Sequence, residues 1–315
     1  MTRKIIHVNS LADIRERQPT YLALGSFDGV HRGHQTVLQA MVEAAQQSGA
    51  RSAVLTFFPH PKRVIQDLPD RYYINSLEDR LALLADQGID LVIAHPFNDQ
   101  IRNIRAADFV DQLIDALDMR QIWGGNFAFG YRREGNKDFL MRVGQEKGFT
   151  LELVESMASW QGELVSSSRI RNSLSRGEIS DVNGCLGRPY TVTGTVVKGD
   201  QRGRTIGFPT ANLAVWDELL LPADGVYATF VTVDGEKYMA ATNVGVRPTV
   251  SGGQRLVEAH LLDFDDDLYG QSIKVEYVSH IRPEQRFSGL PALKRQINAD
   301  VQQVRQQLEF KAAEY

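Results

Sequence analysis

The fold of the first half of the chain is decided by one stretch, Gly25-Ser26-Phe27-Asp28-Gly29-Val30-His31-Arg32-Gly33-His34. It follows a short apolar run, Tyr21–Gly25, and precedes residues 34–47, whose apolar side chains recur on one face of a predicted helix. Short apolar strands that alternate with helices predict a parallel sheet covered on both faces, the α/β class. The other predicted elements of this half are strands at Ser52–Phe58, Asp90–Ala94, Gln121–Trp123 and Thr150–Val154, and helices that begin at Ser76 and cover Ala106–Met119.

The second half is predicted to consist mainly of strands. Asp234-Gly235, between two strand-like segments, is a strong signal for a tight hairpin. Closely spaced strands without intervening helices predict an antiparallel barrel or sandwich, followed by a terminal helix over about Gly289–Phe310. A cluster of Gly, Asn and Ser at Ser180–Gly187 divides the chain into predicted domains of residues 1–182 and 183–315. The strand-like segments are Tyr190–Val197, Val226–Val233, Lys237–Asn243, Arg255–Leu262 and Ser272–Val278.

Composition excludes several classes of protein. The 315 residues carry a formal net charge of −4, so no global basic field draws the chain to nucleic acid. The single cysteine, Cys185, excludes an intramolecular disulfide and a cysteine-based zinc site. No apolar run is long enough to predict a membrane span, and the polar first residues do not resemble a signal peptide. We therefore expect a cytoplasmic protein of two domains that binds neither nucleic acid nor a membrane.

The turn at residues 25–34 has the chemistry of an anion site. Its glycines let backbone N–H groups approach a phosphate, and the N-terminus of the following helix adds its dipole. His31 and His34 can donate hydrogen bonds to phosphate oxygens, and H-x-G-H is the signature of Rossmann-like nucleotidyltransferases, in which a nucleophile attacks the α-phosphate of a nucleoside triphosphate. The alternative is that both histidines are ordinary turn and capping residues. Besides the histidines, the predicted nucleotide-binding residues of this turn are Gly25, Phe27, Asp28, Gly29 and Gly33.

Three further stretches of the first half are candidates. Ser166-Ser167-Ser168-Arg169-Ile170-Arg171 opens a predicted helix with hydroxyls and arginines that would offset charge on a leaving pyrophosphate, although such a stretch alone is usually a capped, solvated helix start. Phe57–Pro61 and Gly124–Gly130 each follow a strand, where ligand sites of α/β folds lie. The second of them contains Asn126 and two aromatic residues. Both are equally explained as packing turns.

The clearest feature of the second half is the loop Lys198–Asn212. Glycines at 199, 203 and 207 between basic residues such as Arg204 describe a loop that wraps phosphates with backbone donors, and it is not a Walker A loop. Thr210 and Asn212 could both present oxygen ligands to Mg²⁺. The alternative is a basic surface hairpin with glycines for turning.

Two acidic features follow this loop. Glu258 lies in a predicted strand and could accept a proton from a hydroxyl nucleophile, although its residue type alone favours a solvent-facing position. The run Asp263-Phe264-Asp265-Asp266-Asp267 fails the pattern of a calcium-binding EF-hand, because Leu268 replaces the required glycine and Lys274 occupies the twelfth position. We expect this run to be a turn between strands.

Together these motifs resemble one family closely, the bacterial bifunctional riboflavin kinase/FAD synthetases. The similarity spans nearly the whole chain, from Gly25 to the last helix, and places several separate motifs in the family's order. Phe58 stands where many relatives have an acidic residue, which puts a polar role of that position in doubt. The motifs are the stretches 25–34, 56–61, 124–130, 166–171, 186–190, 202–212, 243–249 and 261–265.

The resemblance implies a Rossmann-like FMN adenylyltransferase domain followed by a β-barrel riboflavin kinase domain. His31 and His34 would bind and polarise the phosphates of ATP, and Ser167, Arg169 and Arg171 would form a mobile loop at the same site. Thr210 and Asn212 would hold Mg²⁺ and the nucleotide of the kinase, and Glu258 would be the base on the ribityl 5′-hydroxyl. The ligands would be riboflavin, FMN, FAD and ATP. The alternatives are a chain with one working domain and a flavin-binding regulator without catalysis.

Overall fold

The computed structural model describes residues 6–66, 68, 71–125, 127–154, 158–199, 202–247 and 254–312. The chain divides into two compact units. The first comprises Met1–Pro69 and Ser76–Ser166, and the second comprises Asp70–Asn75 and Ser167–Tyr315. The contacts therefore divide the chain sixteen residues before the predicted boundary at 182/183 and assign a short early segment to the second unit. The functional boundary stays a prediction.

The first unit contains a six-stranded sheet, and the strand pairs are parallel. Its strand order is β1-β4-β3-β2-β5-β6, and a short hairpin, β7–β8, follows. The strands are β1 Ile6–Val8, β2 Thr20–Leu24, β3 Arg51–Phe58, β4 Leu91–Pro96, β5 Met119–Gly124, β6 Thr150–Leu153, β7 Ser159–Trp160 and β8 Glu163–Leu164. The helices are α1 Arg32–Ser48, α2 Pro61–Ile65, α3 Leu77–Ala85, α4 Asp99–Asn103, α5 Ala106–Leu117 and α6 Lys137–Lys147.

Apolar side chains cover both faces of this sheet, as the sequence predicts. Consecutive strand residues, such as Leu22 and Ala23, point to opposite faces of the sheet and belong to different core clusters. Leu38 of α1 and Leu84 of α3 pack on one face, and Phe109 of α5 packs on the other. The predicted end of α5 at Met119 is wrong, because Asp118 adopts a left-handed conformation that stops the helix and Met119 already begins β5.

The second unit is a closed barrel with strand order β10-β13-β12-β11-β14-β9, which decides between the predicted barrel and sandwich. Asp234 and Gly235 both have positive φ (49° and 88°), as the predicted tight hairpin requires. Val304 and Leu308 of the terminal helix pack against Ala228 on the barrel's outer face. The elements are α7 Ser167–Arg176, α8 Ile179–Leu186, β9 Tyr190–Val197, α9 Arg202–Thr205, β10 Ala211–Val215, β11 Gly225–Val233, β12 Glu236–Arg247, β13 Gln254–Leu261, β14 Ser272–Pro283 and α10 Leu290–Ala312.

Candidate functional site

The turn between β2 and α1 leaves the sheet where the strand order reverses. β3 and β4 lie on one side of β2, and β5 and β6 lie on the other. Loops at the carboxyl ends of strands beside such a reversal are where α/β folds bind ligands. The turn is tightly bent: Phe27, Gly29 and Val30 have positive φ of 46°, 89° and 38°, and Val30 N donates to Phe27 O at 3.1 Å. The predicted strand–turn–helix junction is therefore present.

His31 and His34 are brought together at the N-terminus of α1. The Nδ1 atom of His31 caps the helix by accepting a hydrogen bond from the backbone N–H of His34 at 3.3 Å. An accepting Nδ1 places the proton of a neutral imidazole on Nε2. The two rings stack with centroids 3.7 Å apart and an interplanar angle of 16°. Ring N–H donors at the positive end of a helix can bind phosphate oxygens.

Two of the predicted glycines leave room for aromatic rings in this turn. A Cβ added at Gly33 would lie 3.2 Å from both Cε1 and Nδ1 of His31, and a Cβ at Gly25 would lie 3.2 Å from the ring of Phe27. Asp28, predicted to bind the nucleotide, is buried with 1% of its surface exposed. Gly25, Gly33 and Asp28 therefore support the conformation of the turn.

The other predicted stretches of this unit are packing elements where they can be described. Asn126 lies outside the described residues. Phe127 is 6% exposed and belongs to the core of the first unit, and Phe129 packs against the same core. The presence of glycine at position 124 has a steric explanation, because a Cβ there would lie 2.6 Å from the Phe127 ring. His60 caps α2 by accepting a hydrogen bond from the backbone N–H of Lys62.

The predicted loop residues Ser167, Arg169 and Arg171 lie in α7, within the second unit. The Arg169 guanidinium forms an ion pair with Asp181 at 2.5 Å. Arg171 donates from Nε to the backbone oxygen of Tyr72 at 2.9 Å, and its guanidinium lies 4.0 Å from the centre of the Tyr72 ring. Both arginines therefore hold elements of the second unit together. Their role at the phosphates of ATP stays a prediction.

Asp181 of α8 is the charged partner at this junction. Burial opposes ionisation of its carboxyl group, but hydrogen bonds from Arg169 and from Ser173 (2.7 Å) keep its pKa below the usual value. The carboxylate is therefore ionised at neutral pH and fixes α7 against α8.

A cavity of about 370 Å³ opens beside the barrel, and it contains the two predicted metal ligands, Thr210 and Asn212. Its walls come from the loop before β10, from β10 and β13, and from the turn after β13. Polar and apolar groups both line it. The remaining lining residues are Val196, Gly199, Pro209, Ala211, Ala259, Leu261, Phe264, Asp265, Asp266, Asp267, Leu268 and Tyr269.

The predicted glycines of the loop let its backbone run close to other atoms. A Cβ at Gly199 would lie 2.5 Å from Nδ2 of Asn212, so only glycine leaves space for that side chain. A Cβ at Gly203 would collide with the backbone oxygen of Phe208. Gly207 has a φ of 88°, which favours glycine. The side chain of Arg204 lies outside the described part of the chain.

Glu258 lies directly beside Asn212 in the barrel. It pairs with Asn212 of β10 on one side and with Asn243 of β12 on the other. Its neighbours Val257 and Ala259 are buried, so Glu258 faces the other side of the sheet and is half-buried. Side chains paired across neighbouring strands share one face, so the register brings together the carboxylate and the amide that the sequence placed 46 positions apart.

Sequence reasoning missed the position of the acidic run at the wall of the cavity. Residues 263–267 do form a turn after β13, as expected, but Asp265, Asp266 and Asp267 also line the cavity with Thr210. Asp267 fixes the turn by accepting a hydrogen bond from the backbone N–H of Tyr269 at 2.9 Å. The sequence did offer one signal for a position near the site: the acidic run begins only five residues after Glu258.

Within the described ranges, no three or more His, Cys, Asp and Glu side chains form a group that could hold a metal ion. Oxygen donors from Thr210 and Asn212 suit a cation that completes its coordination with phosphate and water, as Mg²⁺ does. None of the described helices combines the length and the apolar character needed to cross a membrane.

Known proteins match the chain along most of its length. A family model described as FAD synthetase matches residues 13–169, and one described as riboflavin kinase matches residues 186–308. Proteins named bifunctional riboflavin kinase/FMN adenylyltransferase are similar to it. The one from Pseudomonas fluorescens is 38% identical over 93% of this chain and 95% of its own, and the one from Bacillus subtilis (strain 168) is 35% identical over 95% and 96%. A crystal structure of a protein named as a macrolide-efflux protein from Streptococcus pneumoniae has a TM-score of 0.88 at 29% identity, covering 96% of this chain and 98% of that one.

Proposed function

Because the chain belongs to the family of bifunctional riboflavin kinase/FMN adenylyltransferases, we propose that its two reactions use the two sets of residues described above, each centred in a different unit. The chain phosphorylates riboflavin to FMN with ATP, and it transfers the adenylyl group of a second ATP to FMN, giving FAD and pyrophosphate. The observation that carries the proposal is the division of the motifs: the histidine pair lies in the first unit and the cavity with Thr210 lies in the second.

The kinase reaction is proposed to occur at the 370 Å³ cavity, with ATP inside it. Thr210 and Asn212 would hold Mg²⁺, which would offset the negative charge of the nucleotide phosphates. Glu258, beside Asn212, accepts the proton of the ribityl 5′-hydroxyl while that oxygen attacks the γ-phosphorus. The bond from the γ-phosphorus to the β–γ bridging oxygen breaks, and ADP leaves. Gly199, Gly203 and Gly207 let the loop backbone approach the phosphates, and Arg204 is proposed to add positive charge.

Adenylyl transfer is proposed to occur at the turn before α1. An oxygen of the FMN phosphate attacks the α-phosphorus of ATP, and the bond from that phosphorus to the pyrophosphate oxygen breaks. FMN supplies an anionic nucleophile, so no protein nucleophile is needed. His31 and His34 donate from their rings to the phosphates, where negative charge develops in the transition state. Ser167, Arg169, Arg171 and Asn126 are proposed to contribute to the same reaction.

Two variants test the assignment in one assay. The enzyme is incubated with riboflavin, ATP and Mg²⁺, and flavins are separated over time. His34→Ala should stop FAD formation and leave FMN formation intact, whereas Glu258→Gln should stop FMN formation but still convert supplied FMN to FAD. Each variant's remaining activity shows that the protein is folded. Loss of both activities in a folded variant would contradict two independent sets of residues.

The same assay on the unaltered chain separates the alternatives. FMN followed by FAD is the expected result. FMN alone would indicate one working domain, and flavin binding without product would indicate a regulator.

We further propose a functional boundary at 182/183, because α7 carries residues assigned to adenylyl transfer. We also propose a cytoplasmic location, where both nucleotide substrates are available. Nucleic acid is not a proposed partner, given the net charge of −4.

A further inference from the structure

A buried ion pair lies beneath the histidine turn and involves an arginine that no motif singled out. Arg80 of α3 has no exposed surface, and Asp28 of the turn has 1% exposed. One Arg80 nitrogen, Nη2, lies 3.4 Å from Oδ1 of Asp28, and Nη1 donates to the backbone oxygen of Phe57 at 3.5 Å. Arg80 thus connects the turn after β2 with the end of β3, at the carboxyl edge of the sheet.

The free-energy cost of burying the Arg80–Asp28 ion pair indicates that the pair has a role other than stability. Burying two charges is expensive, and a well-packed apolar pair of similar volume is often at least as stable. The turn that Asp28 occupies is itself strained, because Phe27 and Val30 are bulky residues with positive φ. Such conformations persist only where the surroundings fix them. Asp28 lies between these residues and is fixed by Arg80.

The turn ends at the residue that caps α1. Val30 immediately precedes His31, and the backbone oxygen of Val30 accepts a hydrogen bond from the Gln35 side chain at 2.8 Å. A shift of Asp28 would therefore be transmitted to the position of His31, and through the 3.7 Å ring stack to His34. Since Asp28 is buried, we expect it to act on a bound phosphate through the shape of this turn and not by direct contact.

We propose that Arg80 is a positioning residue for adenylyl transfer, which acts through Asp28 to hold the turn that presents His31 and His34 to ATP. This inference rests on the proposed role of the histidine turn. It assigns Asp28 to the support of the turn, and it adds a residue from a helix that begins nineteen positions after the end of β3.

The decisive variant replaces both charges. Arg80→Met or Asp28→Asn alone leaves one buried charge without its partner and should lower stability. The double variant Arg80→Met/Asp28→Asn removes both charges of this pair and should recover stability. Its kcat for FAD formation from supplied FMN should still fall about 100-fold, as expected for misplaced catalytic groups, while KM for ATP changes little. If the pair were only structural, the double variant would recover kcat together with stability, which would overturn the proposal.

Two controls complete the experiment. Arg51 is another buried arginine of this unit, but it lies at the opposite edge of the sheet and contacts Thr20 and the backbone oxygen of Glu16. Arg51→Met should lower stability without changing kcat for FAD formation. Riboflavin phosphorylation should stay unchanged in every variant and reports folding of the second unit. A 100-fold loss in Arg51→Met as well would make the effect unspecific and would also overturn the proposal.

The result remains decisive if the double variant does not fold. Arg80→Lys keeps a positive charge beside Asp28 but has one nitrogen, which cannot reach both Asp28 and the Phe57 oxygen in the same way. It should lower kcat about 10-fold, and an unchanged kcat would refute the role of Arg80. His34→Ala serves as the reference. If that variant keeps full FAD formation, the proposed function of the turn fails, whereas inactivity of His34→Ala with full activity of the Arg80 variants refutes the positioning role alone.

Discussion

Gly199→Ala tests the cavity of the second unit with the smallest possible addition. The new Cβ would lie 2.5 Å from Nδ2, 2.6 Å from Cγ and 2.7 Å from Oδ1 of Asn212. Because non-bonded heavy atoms favour separations of about 3.5 Å or more, the amide must move by about 1 Å. The φ of Gly199 lies outside the left-handed region, so the backbone itself accepts alanine. The effect should therefore fall on Asn212.

A displacement of about 1 Å in a positioned group can lower a rate about 100-fold. This corresponds to about 2.7 kcal/mol of transition-state stabilisation. We expect that loss in FMN formation from riboflavin, measured by separating flavins at saturating ATP and Mg²⁺. FAD formation from supplied FMN should be unchanged, because none of the residues proposed for adenylyl transfer lines the cavity around Asn212.

The double variant Gly199→Ala/Asn212→Ala tests the cause. If the methyl group acts by displacing the amide, it has nothing further to displace once Asn212 is alanine, and the double variant should be no slower than Asn212→Ala. Additive losses would show that Gly199 matters for another reason. An unchanged rate in Gly199→Ala would refute the role of Asn212 itself.

The remaining predictions concern the histidine turn and the junction between α7 and α8. Gly33→Ala brings a Cβ to 3.2 Å from the His31 ring, and a displacement of a few tenths of an ångström should slow FAD formation about 10-fold while FMN formation is unchanged; equal losses in both would contradict this. Asp181→Asn removes the charge that accepts hydrogen bonds from Arg169 and Ser173, and it should lower the free energy of unfolding by about 1–3 kcal/mol, measured with urea. The pKa of Asp181 is lower in the folded protein than in the unfolded chain, so this stabilisation is present above about pH 4 and is lost as pH falls through the folded-state pKa. A difference between the two proteins that stays constant down to the lowest pH would refute the assignment.

The sequence was informative where local pattern and local structure coincide. The apolar run Ser52–Phe58 predicts a buried strand, and β3 is buried along almost its whole length. The pairing of Asn212 with Glu258 could not be predicted, because it depends on which strands become neighbours when the barrel closes. Residue type alone therefore favoured a solvent-facing Glu258, and only the family resemblance assigned it a role.

Arg80 shows a second limit of local patterns. The predicted helix start at Ser76 is present, and Ser76 caps α3 by accepting a hydrogen bond from the backbone N–H of Asp79 at 3.0 Å. A charged residue in the first turns of a helix is normally solvated, and nothing in the sequence distinguishes Arg80 from Arg63 or Arg71 nearby. Its burial results from the packing of α3 against the sheet. The binding role of the loop Lys198–Asn212 stays a prediction, and its last two residues already belong to β10.

The early segment that belongs to the second unit has a consequence for synthesis of the chain. Tyr73 is 1% exposed, forms an isolated parallel β-bridge with Leu219, and has its ring centre 4.9 Å from that of Trp216. A ribosome adds about 5–20 residues per second, so roughly ten seconds or more separate the emergence of Tyr73 from that of its partners. During this interval the side chain of Tyr73 lacks the barrel contacts that bury it in the folded protein. Completion of the second unit therefore requires translation through β14, more than 200 residues after Tyr73.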